Sequence, residues 1–404
     1  MSAVYSSGNV KTKLLEPSTY NENVSAEFRL TEPCLPNLRL IDVGAKAQAN
    51  TQYNKLIGAY GLLKSVFLYS GQMLLDGTPN VQNFIAFKKY NQENSVNRNI
   101  NKYLVKNNLG FCVNAQRQLA EGPAVNNQAG TTDDATVLSW VSLADFCPLL
   151  NKLNVLDPKV MHNLRVVLEF DSDRNSFLNA TNRTSHNTRR PRLIYDALET
   201  GDYQPNPAMV SWNAIEQDRF QVAATGVGAV STNTTVAKLN GFNNKLVGRL
   251  LMCKTPSDDA NNSTGGAVNG FGKYQSRAGL DEKIQVVCNG VQQLPRNGVE
   301  GPNRQLAMLH DTWGVCNTLP GGNTQGLTDN SNKVAQLRSY DGQQSYFGMF
   351  LNQRVKDLQF NYTRTSDIDN SAIPLTNMGL NMLVFGEVSK SLVTKGGDVN
   401  VVYN

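Results

Sequence analysis

Three histidines, His162, His186 and His310, are the only imidazoles in 404 residues, and no Ser/His/Asp arrangement forms around them. His162 and His310 sit beside apolar positions, which predicts structural roles. The nucleophile-elbow pattern G-x-S-x-G is absent. Six cysteines, Cys34, Cys112, Cys147, Cys253, Cys288 and Cys316, lie far apart without a C-x-x-C pair, so zinc-site spacing is missing. Gly266 to Lys273 has the outline of a phosphate loop, but Ala267 stands where the first glycine belongs and Tyr274 follows the lysine in place of Ser or Thr. Gly226-Val227-Gly228 lacks the third glycine of a dinucleotide fingerprint. The acidic pairs Asp133-Asp134 and Asp258-Asp259 fall in polar loops and read as solvated turns. The expectation is therefore no catalytic, cofactor-binding or metal-binding residue, and no enzyme.

One basic cluster stands out: Arg183, His186, Arg189, Arg190 and Arg192, in a polar loop feeding a strand. It could touch a genome, a membrane or a neighbouring subunit, or be a solvated loop. The net charge of +5 is too mild for a chain that neutralises many phosphates. No apolar run approaches a membrane span, and the N-terminus has no basic region followed by an apolar core. Synthesis in the cytoplasm without a signal peptide, with free and mostly buried thiols, is the expectation.

The elements that must position these residues carry a repeat. Val66 to Tyr69, the turn Ser70-Gly71, Met73 to Leu75 and the break Asp76 to Asn80 lead into a helix near Val81. About half the chain later, Ile284 to Cys288, the turn Asn289-Gly290, Leu294-Pro295 and the break Gly301 to Asn303 lead into a helix near Arg304. Ser-Gly and Asn-Gly suit tight hairpins because glycine takes positive φ at no steric cost. Proline presets the first helical turn.

Length allows two domains of about 200 residues. Charged residues make up only 18% of the chain, and Asn, Gln, Ser, Thr and Gly take their place, which predicts long, ordered, neutral loops. Residues 1–24 read as an extended arm, 25–200 as one sandwich, the Pro-rich 201–207 as a linker, and 208–404 as a second sandwich with a C-terminal tail. In the first, strands are expected at 28–30, 38–43, 62–75, 111–114, 136–142, 164–170 and 191–198, with a helix from 81 to 106 and a short one over 143–153. In the second they are expected at 219–224, 245–253, 284–294, 346–351, 355–362 and 380–388.

Val137 to Phe146 with its helix, Leu164 to Phe170, and Pro191 to Asp196 resemble the latter half of a first jelly roll. Phe347 to Tyr362 and Leu380 to Val388 resemble its counterpart. Over residues 25–400 the chain resembles the double jelly-roll major capsid proteins of small double-stranded DNA viruses, of the polinton-like virus and virophage type. That resemblance implies an all-β fold of two tandem eight-stranded antiparallel jelly-roll sandwiches with short helical insertions. It also implies a virion location, a homotrimer forming a pseudo-hexagonal capsomer in an icosahedral shell, and contacts with neighbouring capsomers, penton and minor capsid proteins. Loops would form outward towers, while residues 1–24 and 398–404 would lie low and tie capsomers together. Two alternatives share the β-rich rhythm: a single-jelly-roll RNA-virus capsid protein with a projecting domain, which usually carries a basic tail, and a tandem carbohydrate-binding sandwich. The latter would normally show an acidic pair or aromatic platform, and the only tryptophans are Trp140, Trp212 and Trp313.

Overall fold

Leu164–Phe170 alternates buried and part-buried side chains without a break, the pattern of a strand with one face on a core. It is one of nineteen strands in a computed structural model that describes residues 10–41, 63–81, 84–85, 88, 140–170, 190–199, 203–223, 232–256, 282–294, 298–300, 302–314, 346–365, 379–395 and 397–404. The first-half strands are β1 (Val10–Leu15), β2 (Thr19–Asn21), β3 (Ser25–Leu30), β4 (Arg39–Ile41), β5 (Leu63–Ser70), β6 (Met73–Gly77), β7 (Trp140–Ser142), β8 (Leu164–Phe170) and β9 (Arg192–Leu198). The second half begins with β10 (Met209–Val222), β11 (Thr232–Lys238), β12 (Leu246–Pro256), β13 (Glu282–Cys288), β14 (Val291–Gln292) and β15 (Val299–Glu300). It continues with the helix α1 (Pro302–Trp313), then β16 (Tyr346–Arg354), β17 (Leu358–Thr365), β18 (Leu380–Lys395) and β19 (Asp398–Tyr403).

The strands form four antiparallel sheets in two pairs. β1-β9-β4-β7 faces β2-β3-β8-β5-β6 in the first half, and β10-β18-β12-β16 faces β11-β17-β13-β14 in the second. Taken in chain order, the two halves follow one path: β1, β3, β4, β5, β6, β7, β8 and β9 occupy the places of β10, β11, β12, β13, β14, β16, β17 and β18. Each half is an eight-stranded jelly roll, with β2, β15 and β19 as additions. Two rolls in one chain contradict the single-jelly-roll alternative.

The repeat seen in the sequence is the β5–β6 hairpin of the first roll and the β13–β14 hairpin of the second. Asn289 and Gly290 both adopt positive φ, 55° and 77°, as a two-residue hairpin turn requires. The Asn289 side chain then binds a neighbouring connection, accepting from the Lys356 N–H at 2.7 Å and donating to the Arg354 carbonyl at 2.9 Å.

Several expectations change. Residues 10–15, read as part of an arm, pair with β9 over their full length. Residues 398–403, read as a tie between capsomers, pair with β18 of the same chain. The helix expected over 143–153 is two 3-10 turns, Leu143–Asp145 and Pro148–Asn151, because Pro148 has no N–H to continue a helical ladder. His162 and His310 are exposed, not packed. The strand at 111–114, most of the helix at 81–106, and both acidic pairs lie outside the described residues, as do the two glycine loops, His186, Arg183 and Arg189.

Candidate functional site: the junction between the rolls and the long-connection end

The first-roll connections 42–62, 78–139 and 171–191 depart from one end, as antiparallel pairing dictates. In the second roll, 223–231, 257–281 and 366–379 likewise share one end with the chain between β14 and β16. β9 runs away from that end, and the extended residues 203–207 are pinned beside the opposite one. There the Asn206 Oδ1 accepts N–H groups of Asn154 and Val155 at 2.8 and 3.2 Å, and the Tyr203 hydroxyl donates to Asp157 at 2.5 Å. β10 starts from the same place, so the rolls stand side by side with the strand ends that carry their long connections on the same side.

What fixes that arrangement is apolar. The outward-facing side chains of β10, β12 and β18, namely Val210, Trp212, Ala214, Leu251, Cys253 and Phe385, join the core cluster of the first roll. The sheet β10-β18-β12-β16 thus packs against the first roll through one face and against its own partner sheet through the other, with Phe350 of β16 left exposed. Phe84 of the first roll lies edge-on to Trp313 with centroids 5.6 Å apart, and 5.7 Å from Phe385. Trp313 ends α1 and donates its indole N–H to the Leu250 carbonyl at 2.9 Å. Arg249 stacks over the indole at 4.0 Å while binding Glu387 through two bonds of 2.6 and 2.8 Å. α1 can approach β16 so closely because position 348 is glycine: a Cβ there would come within 2.6 Å of Trp313. Trp212 and Trp313 are buried packing elements, which removes them as the exposed aromatic platform of a carbohydrate-binding alternative.

Polar groups complete the junction. Asp76 is buried, accepting the Leu149 N–H at 2.7 Å and the Gly77 N–H at 2.9 Å. Burial raises its carboxyl above the usual range, offset in part by those N–H groups and Lys390. The Thr78 hydroxyl donates across to the Ile215 carbonyl. Glu216 meets Lys390 at 2.7 Å, Lys245, and the Tyr403 hydroxyl at 2.9 Å. Burial alone would raise Glu216, but Lys390 and Lys245 overcome it and hold the carboxyl below its ordinary value.

A second buried cluster lies inside the second roll, at its long-connection end. Lys254 of β12 donates to Glu282 Oε2 of β13 at 2.5 Å and to Gln305 Oε1 of α1 at 2.9 Å. Gln305 Nε2 donates to the same Glu282 oxygen at 3.1 Å, and the Tyr362 hydroxyl of β17 occupies Oε1. Sequence reasoning missed this cluster, because its members come together only through sheet register.

Of the basic cluster, Arg190 lies 3.4 Å from Glu16 and donates to the Pro17 carbonyl at 3.2 Å, holding the chain after β1 against β9. Arg192 opens β9. Cys34, Cys147, Cys253 and Cys288 are free, buried thiols. Among the described residues, no group of three or more His, Cys, Asp or Glu could hold a metal, and no helix is long and apolar enough to cross a membrane.

No family model matches the sequence, and no curated protein does. Solved structures do. The crystal structure of VP54 of PBCV-1, fitted into a cryo-EM reconstruction of the virophage Sputnik, matches with a TM-score of 0.57 at 10% identity, covering 100% of this chain and 99% of that one. The cryo-EM structure of the Sputnik virophage matches at 0.53 and 12% identity, over 100% and 90%. The mavirus major capsid protein matches at 0.51 and 9% identity, over 100% and 92%. The chain has the double jelly-roll fold that these capsid structures share.

Proposed function

We propose that this protein is a major capsid protein, three copies of which close into a pseudo-hexagonal capsomer that tiles an icosahedral shell. The observation that carries the reading is the side-by-side pairing of two like rolls, with one sheet of the second packed into the core cluster of the first while the second roll keeps a core of its own. Three such pairs present six upright sandwiches, and a single heterologous contact repeated about a threefold axis closes the ring. Edge strands supply surface for that contact: Phe350 on β16 and Val236 on β11 are 53% and 60% exposed. A shell protein needs no site for a substrate, and the buried polar groups at the junction hold the two rolls together. The long connections at the shared end form the outer face, with the linker end below. Neighbouring capsomers, penton and minor capsid proteins are the partners, the virion is the location, and synthesis precedes assembly in the cytoplasm. The basic stretch of Arg183, Arg189, Arg190 and Arg192 supplies a weak contact with genome, membrane or a neighbouring subunit. Light scattering coupled to size exclusion tests the stoichiometry. A trimer is expected, and a stable monomer at micromolar concentration overturns the reading.

A further inference from the structure

The cluster around Lys254 has a composition that simple packing does not require. An amine, a primary carboxamide and a carboxylic acid meet in a site where Lys254, Glu282 and Gln305 are 1, 4 and 2% exposed. One carboxylate oxygen, Glu282 Oε2, touches both the amine at 2.5 Å and the carboxamide nitrogen at 3.1 Å. The amine also donates to the carboxamide oxygen at 2.9 Å, so Nζ already touches the carbonyl group. This is an amine against an amide, with an acid spanning nucleophile and leaving group.

We propose that Lys254 and Gln305 join in an intramolecular isopeptide bond, with Glu282 carrying the protons. One Nζ proton passes to Glu282, and the freed Nζ lone pair attacks Cδ of Gln305. Glu282 hands that proton to Nε2, the Cδ–Nε2 bond breaks with its electron pair on nitrogen, and ammonia leaves. The second proton shed by Nζ returns through Glu282 to the ammonia, which departs as ammonium. Glu282 ends as it began, and no oxidant or further reactant enters.

One feature favours the forward step. Burial lowers the Lys254 ammonium from its usual range, with Glu282 opposing, so the neutral amine needed for attack is more accessible than on a solvated lysine. The bond would fasten α1 to β12 at the end from which the long connections leave, a covalent strap in a chain whose four described cysteines are free.

The experiment is intact mass spectrometry of the denatured full-length protein, followed by proteolysis and peptide sequencing. The expected result is a mass below the sequence mass by one ammonia, and a branched peptide in which Lys254 and Gln305 are joined. Glu282→Gln, nearly isosteric, should keep the full sequence mass with an unchanged circular-dichroism spectrum. Wild-type protein at its full sequence mass overturns the proposal, and so does ammonia loss without the branched peptide. Cross-linking that persists in Glu282→Gln overturns the role given to the acid. The readout is independent of capsomer assembly, so a trimer or a monomer leaves it unaffected.

Discussion

Replacing Trp313 by alanine should weaken the junction of the two rolls, because this second-roll side chain sits in the core cluster of the first. The indole is 4% exposed, donates to the Leu250 carbonyl, stacks under Arg249 and meets the Phe84 ring. Truncating a buried aromatic to alanine costs about 3–5 kcal/mol. The unpaired Leu250 carbonyl and the lost cation stacking contribute within that range, since Arg249 keeps Glu387 and the Thr312 carbonyl. An expected total near 4 kcal/mol would be read from urea denaturation followed by circular dichroism. Trp313→Phe, keeping a ring and losing the N–H, should cost about half of that. A cycle with Phe84→Ala should show a coupling of about 1 kcal/mol between the two positions. A loss below about 1 kcal/mol for Trp313→Ala, or strictly additive costs with Phe84→Ala, would refute a shared junction.

Other consequences are open to measurement. Glu216→Gln should destabilise by about 3 kcal/mol at neutral pH, since Lys390 is left buried without its carboxylate. Because Glu216 has a lowered folded-state pKa, its contribution is present above the ordinary glutamate range and lost as pH falls through the folded value. Wild type and variant should thus converge in acid denaturation curves, and a gap independent of pH would contradict the pairing. Gly348→Ala should lower the melting midpoint, by about 1–3 kcal/mol in stability, as its Cβ meets Trp313; an unchanged midpoint would show that α1 is free to shift. Asn289→Ala should cost about 2 kcal/mol, through positive φ and three lost side-chain hydrogen bonds, measured by the same denaturation. Cys34, pushed up to about 12 by burial and the nearby Glu32 and Asp196 carboxylates, should resist alkylation until the protein unfolds, as should Cys147 and Cys253. Peptide mapping that finds any of the three labelled in native protein would contradict their burial.

What the sequence revealed depended on how many neighbours each strand has. β8, β12 and β18 lie between partners and carry apolar side chains at regular spacing, so the residues marked them out. β11 and β1 sit at sheet edges. Thr232–Lys238 exposes both faces, and Val10–Leu15 sets Thr12 between its two lysines and fully buries no side chain, so neither shows a core-facing stripe. β10 was legible only over its last residues, though Val210, Trp212 and Ala214 alternate at its start: their partner surface is the other roll, which local periodicity does not specify. The hairpin repeat was visible because turn chemistry is local, with Asn289-Gly290 demanding positive φ wherever it occurs. The buried cluster had one faint signal, a lysine closing the apolar run Leu250 to Cys253. Its partners lie 28 and 51 positions away, joined by register and helix packing alone.

The central claim is that two like rolls, locked side by side, are a third of a ring. Electron microscopy of the purified particle tests it most directly. The account predicts a three-fold capsomer of pseudo-hexagonal outline with six upright sandwiches and the long connections on one face. Isolated two-lobed monomers, or a ring with any other number of sandwiches, would contradict it.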